Sequence, residues 1–144
     1  GGMSSRLFQN IREKYGLAYS IYSFLDFFSD TGIFGIYFGT DKKNITKTLR
    51  LINREINHLK NRRITARELR EANAQLKGSL ILNMENTANR MVRLAKMEIY
   101  QGCFKEIDEI IEDINGVTIE TLGETVQELF SAQNMLEVVF EPGE

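Results

Sequence analysis

The chain has 144 residues, 42% of them hydrophobic and 26% charged, which is enough apolar material for about one ordinary globular domain. Its 18 lysines and arginines are interspersed with 20 acids for a net charge of -2, so it carries no basic footprint for nucleic acid or an anionic membrane. No run approaches the roughly 18 apolar residues of a membrane span, and one cysteine, Cys103, excludes an internal disulfide.

The first stretch, Gly1-Gly2-Met3-Ser4-Ser5-Arg6-Leu7-Phe8-Gln9-Asn10-Ile11-Arg12-Glu13-Lys14-Tyr15-Gly16-Leu17-Ala18-Tyr19-Ser20, reads as glycine loop, helix, glycine stop and strand. Leu7, Ile11 and Tyr15 recur every four residues, a single apolar stripe on a short helix that Ser4 or Ser5 can cap. Gly16 falls where a helix end favours positive φ, and the period then changes to two, so Leu17, Tyr19 and Ile21 are expected on one strand face. If that strand folds back past the helix end, the tips of Arg12 and Tyr19 can converge. A guanidinium offers fixed donors to a peptide carbonyl, and a phenol can donate to an oxyanion. The plain alternative is a solvated charge and a half-buried packing residue.

The same segment resembles one found in the C-terminal, zinc-free domains of the pitrilysin/insulinase family of zinc metallopeptidases, which includes the mitochondrial processing peptidases. The resemblance implies that Arg12 and Tyr19, seven positions apart, reach across to a zinc-bearing N-terminal domain or partner subunit, bind peptide or protein substrate and stabilise the transition state. Asn10 and Tyr15 stand where the family pattern more often has a charged residue. It also implies that zinc belongs to the partner domain and none to this chain, and that the chain alone is inactive. The start at Gly1-Gly2 suggests a fragment, since in the family a strand and a helix precede this segment.

Farther along, Leu25 to Asp30 reads as a turn or loop made greasy by Phe27 and Phe28, with Phe24 just before it; these aromatics either pack on the core or line a peptide cleft or inter-domain face. Gly32 to Gly39 follows as a strand that should pair antiparallel with the first, Gly35 permitting close backbone approach. From Asp41 the period is helical, with Ile45, Leu49, Ile52, Ile56 and Leu59 forming one stripe. His58, about 220° around that wheel from Ile45, is expected in solvent. His-x-x-Glu-His, His-Glu-x-x-His and Cys-x-x-Cys are all absent, so no zinc motif is written into these residues.

Thr65-Ala66-Arg67-Glu68 is a capping box opening a helical pattern that runs to Gly102, too long to be unbroken; Asn83 to Asn89 is the expected break, with Asn86 or Thr87 as a new cap. Glu85 and Arg90 are similar to a Glu and an Arg near this break in the family, a structural ion pair rather than catalytic groups. Ile107, Ile110, Ile111 and Ile114 make another helix, whose acids read as a solvated face, and Thr118 caps a last one carrying Ile119, Leu122, Val126, Leu129 and Phe130. Met135 to Glu141 is expected to be a closing strand.

These elements amount to an α+β layer fold over residues 1–144, a single domain with helices on one face of an antiparallel or mixed sheet; the resemblance implies that an upstream strand completes that sheet. The functional expectation is the non-zinc-binding half of a zinc-dependent endopeptidase. A non-catalytic scaffold of the same fold is the alternative, and a homodimer through the exposed sheet edge is possible. A cytoplasmic setting is expected, with secretion or an organelle left open.

Overall fold

The computed structural model describes residues 5–62 and 64–141. The chain divides into two compact units, Gly1–Arg62 with Thr125–Glu144, and Arg63–Glu124. Among the described residues it is mostly helical with one two-stranded antiparallel sheet.

In the first unit a short helix is wound as a π-helix over Phe8–Glu13, and the Phe8 N–H donates to Ser5 Oγ at 3.3 Å. Ser4, the other expected cap, lies outside the described residues. The helix ends at Gly16, φ +59°, with the Leu17 N–H bonded to the Ile11 carbonyl at 3.2 Å and the Gly16 N–H to that of Arg12 at 3.0 Å. Each of these bonds spans one residue more than in the usual glycine-ended helix, as the wider π winding requires.

Strand β1 (Ser20–Phe27) pairs with β2 (Gly32–Gly39), Ser20 opposite Gly39 and Phe27 opposite Gly32. The loop expected from Leu25 to Asp30 is therefore shorter. Phe24, Leu25 and Phe27 extend the ladder because they suit a pleated surface and find partners in Gly35, Phe34 and Gly32. Phe24 lies across Gly35, where an added Cβ would come within 2.1 Å of its ring.

Helix α1 (Ile45–Asn61) follows a short 3-10 turn, Lys42–Asn44, and buries Thr48, Leu51, Ile52 and Ile56. Leu51, Ile52 and Ile56 join Ile11, Leu17, Ala18, Ile21, Val126 and Phe130 in one core, with Phe34, Ile36 and Phe38 of β2 packed against it. The Phe34 and Phe130 rings meet edge to face at 5.5 Å. Ile11 is 0% exposed, and truncating so enclosed a side chain to Ala typically costs about 2–5 kcal/mol.

The second unit contains α2 (Ala66–Met84), α3 (Thr87–Gln101), α4 (Ile107–Gly116) and the start of α5 (Ile119–Leu129). Its boundaries have the local causes expected. Thr65 and Glu68 form the capping box, the Asn86 side chain accepts from Ala88 N–H at 2.8 Å and Asn89 N–H at 3.3 Å, and Gly102 closes α3 at φ +61°. Thr118 Oγ1 accepts from the Thr121 N–H at 3.2 Å to start α5. Helices α2 and α4 are joined by Asn73 Nδ2 donating to the Ile114 carbonyl and Lys77 Nζ to Asn115 Oδ1.

One expected element is missing. Met135 to Glu141 forms no strand, because no backbone hydrogen bond is made from these residues among the described ones. Extended backbone becomes a strand only with a partner beside it.

Thr48 is wholly buried and its hydroxyl has no hydrogen-bond partner. Replacement by an isosteric apolar side chain removes that desolvation penalty, so Thr48→Val is expected to stabilise the chain by about 1 kcal/mol. Urea unfolding checks it: the midpoint should rise with the slope unchanged, and a lower midpoint would refute the account.

Candidate functional site

The segment running from the helix stop to the mouth of the hairpin places the two side chains singled out above. Leu17 and Ala18 are both buried, at 8% and 7% exposure, so the backbone here does not alternate as a regular strand would. The reason is an offset in the ladder. The Tyr19 N–H donates to the Gly39 carbonyl at 2.8 Å, although Gly39 is already the register partner of Ser20. Two residues thus oppose one, as in a β-bulge, and bulges re-aim side chains. Tyr19 is turned outward at 69% exposure while Ile21 stays buried at 4%, so the expected shared face for Leu17, Tyr19 and Ile21 is not formed. The Thr40 hydroxyl fastens the same corner by donating to the Leu17 carbonyl.

Tyr19 Oη donates to Asp41 Oδ1 at 2.7 Å. That hydrogen bond, then the Asp41 charge and a little desolvation, raises the phenol above its ordinary value, so at neutral pH it keeps its proton. Arg12 is also exposed, with its guanidinium carbon 4.9 Å from the Phe8 ring centroid. No hydrogen bond joins Arg12 to Tyr19 among the described residues, so each tip rests on its own neighbour.

Tyr15, which the sequence offers only as a departure from a family pattern, has a distinct environment. Lys14 Nζ lies 5.7 Å and the Arg54 guanidinium 6.0 Å from its ring centroid. A hydrogen bond with Arg54, then the charges of Arg54 and Lys14, hold its phenol below the ordinary value, outweighing a small desolvation that acts the other way. Two phenols four residues apart are thus pushed in opposite directions by their surroundings. The Lys14-Tyr15 neighbourhood is visible in the sequence; Arg54, on α1, is not.

The remaining candidates are occupied elsewhere. His58 is exposed with Nε2 3.2 Å from Arg62 Nη1, and Cys103 is exposed and free. Glu85 and Arg90 form no ion pair among the described residues, since the break at Asn86 takes them off a common helix face. In α4, Asp113 pairs with Lys105 at 2.7 Å, and Glu109 accepts from the Glu106 N–H at 2.6 Å. Among the described residues no three His, Cys, Asp or Glu side chains gather to hold a metal, and no helix is long and apolar enough to cross a membrane. Phe27 and Phe28 are exposed at the hairpin tip, and Tyr22, Phe24 and Tyr37 line the hairpin's outer face.

Comparison with known proteins now gives this geometry a context. Residues 1–76 match the model of the peptidase M16 inactive domain. The uncharacterized zinc protease YmxG of Bacillus subtilis is 38% identical over 143 residues, covering 99% of this chain and 35% of that protein. A crystal structure of a peptidase M16 inactive domain from Pseudomonas fluorescens aligns at a TM-score of 0.74 and 27% identity, covering 89% of this chain and 30% of that one. A chain of complex III2 from Candida albicans aligns at a TM-score of 0.77 and 25% identity, covering 87% of this chain and 30% of its own. The chain spans about a third of the length of these relatives.

If Asp41 is what raises the Tyr19 phenol, Asp41→Asn should bring its titration down toward the ordinary value of about 10. Tyrosinate absorbance checks this, with Tyr19→Phe identifying the transition. The sign for stability follows: the contact's contribution is complete below the ordinary phenol value and is lost as pH rises through the raised one. An unmoved transition would remove Asp41 as the cause.

Proposed function

The chain belongs to the peptidase M16 inactive-domain family, and on that premise we propose that it is the non-zinc-binding half of a zinc-dependent endopeptidase, contributing substrate binding and transition-state stabilisation. The observation that carries this reading is Tyr19: a protonated, exposed phenol turned out of the core by a backbone offset, on the segment that follows the Arg12 helix. An offset that sacrifices alternation to expose one tyrosine is unusual in a residue serving only to pack.

The roles follow from the groups. Tyr19 would donate its proton to the oxyanion that forms as a peptide carbonyl is attacked, exchanging the Asp41 carboxylate for a more basic acceptor. Until then Asp41 holds the phenol protonated and oriented. Arg12, its side chain resting on Phe8, would present its remaining donors to substrate backbone carbonyls. Zinc, which the partner domain would hold, would supply a water activated for attack at neutral pH. The names of the zinc-protease relatives support a metal in the whole enzyme. By itself the chain would be inactive. A cytoplasmic setting goes with this reading, and a single cysteine, Cys103, is what a reducing compartment permits.

A second reading rests on the likeness to a chain of complex III2, which supports a non-catalytic assembly role for the same fold. The two readings separate at Tyr19.

In the full enzyme, Tyr19→Phe is expected to lower turnover by about 100-fold to 1000-fold, the usual cost of one well-placed oxyanion donor, with bound zinc unchanged. Turnover and metal content measured together decide the matter. A loss below about tenfold would sink the role, because a true oxyanion donor costs more.

A further inference from the structure

Several of the chain's cations are paired with acids. Arg67 meets Glu71 at 2.8 Å, Lys105 meets Asp113 at 2.7 Å and Lys42 meets Glu141 at 3.0 Å. On the segment that joins Arg12 to Tyr19 the pattern reverses. Lys14 Nζ lies 5.7 Å and the Arg54 guanidinium 6.0 Å from the Tyr15 ring centroid, and the charge of Lys47 reaches the same phenol. Lys47 and Arg54 stand about two turns apart on α1, which puts them on one side of that helix. All three cations are exposed, as is Tyr15 at 38%. Glu13 and Glu55, the acids beside them in sequence, form no ion pair with them among the described residues, and neither does any other carboxylate.

Three like charges around one ring repel one another, and a phenol that keeps its proton does nothing to cancel them. An anion does. The donors suit a carboxylate: the guanidinium fork matches its plane, and the lysine ammonium groups and the phenol O–H can serve whatever lone pairs the fork leaves. A nucleic acid does not suit this place, because the chain as a whole has a net charge of -2 and its cations are interspersed with acids. Position narrows the source of the carboxylate further. Tyr15 follows Arg12 by three residues and precedes Tyr19 by four, and a chain spans at most about 3.6 Å per residue, so its backbone lies within about 11 Å of the one and about 14 Å of the other. An extended peptide crosses such distances in about three or four residues.

We infer that Lys14, Tyr15, Lys47 and Arg54 form a subsite for one carboxylate of the bound peptide, an acidic side chain or the peptide's own C-terminus, lying within about four residues of the carbonyl presented to Tyr19. This rests on the reading of Arg12 and Tyr19 as peptide-binding groups and adds a preference to it. The subsite selects among peptides by charge, while Arg12 and Tyr19 address the backbone that all peptides share.

The test is binding, kept apart from cleavage. The full protein carrying this chain, treated with a chelator so that nothing is cut, is titrated with capped peptides of leucine, alanine and glutamine about ten residues long, long enough to cover the segment when extended. They differ in a single glutamate walked along the sequence, and one further peptide has no glutamate but a free C-terminal carboxylate. The best-placed carboxylate should bind about fivefold more tightly than the capped peptide without one, and Arg54→Gln should return this ratio to about one. Lys96→Gln, which removes a cation from α3 in the second unit, should leave the ratio intact. Each variant is compared with itself on two peptides, so a partly misfolded sample cannot imitate the loss. A gain confined to the glutamate peptides makes the occupant an acidic side chain, and a gain confined to the free terminus makes it the peptide's C-terminus. A ratio below about twofold in the unaltered protein, or no binding of any peptide, would overturn the inference. So would a ratio that survives Arg54→Gln, or one that falls equally with Lys96→Gln and so reports the field of the whole protein. Turnover measured with zinc restored bears on the peptidase reading alone: its absence would end that reading and leave the binding ratio to stand.

Discussion

A single carbonyl, that of Gly39, accepts the Tyr19 amide as well as standing opposite Ser20, and the geometry of the first unit turns on this shared acceptor. It shifts the chain by one residue just before β1, so Leu17 and Ala18 both drop into the core and the next side chain is expelled. The core gains two adjacent apolar residues where a regular strand would supply one. The surface gains a phenol whose hydroxyl reaches Asp41 at the start of the turn into α1. Packing and site are thus two results of one backbone irregularity.

Arg12 and Tyr19 are held without touching. The guanidinium lies on Phe8 and the phenol on Asp41, both on the solvent side. Both contacts are made by exposed groups, where solvent screening leaves them weak, so either can be exchanged for another partner at little cost. A pair already bonded to each other would have to be separated first. The arrangement suits groups that act on a third party.

Much of this was legible in the residues themselves, and the errors have one origin. Helix ends announced themselves locally: Thr65 with Glu68, Asn86, Thr118, Gly16 and Gly102 all act through neighbours a few positions away. β2 was readable from its β-branched and aromatic run between glycines. What failed were features that depend on a distant partner. The bulge at Tyr19 requires Gly39, the length of β1 requires the facing strand, and the lowered Tyr15 phenol requires Arg54. Met135 to Phe140 has strand composition without strand pairing, which no local pattern can distinguish. The roles proposed for Arg12 and Tyr19 rest on a resemblance, and spacing alone leaves them as ordinary surface residues.

The π winding of Phe8–Glu13 carries a consequence for how the segment tolerates change in length. An α-helix of the same span needs one residue fewer to reach Gly16, so a deletion within it could be absorbed by rewinding, keeping Ile11 in the core and the glycine stop in place. The residue lost is the extra one that the wider turn takes up, so side chains on either side of the deletion keep their faces. The same deletion in a regular α-helix would rotate one side by about 100° against the other. The π winding of Phe8–Glu13 thus gives the segment one residue of slack in length without a change of bearing for the residues around it.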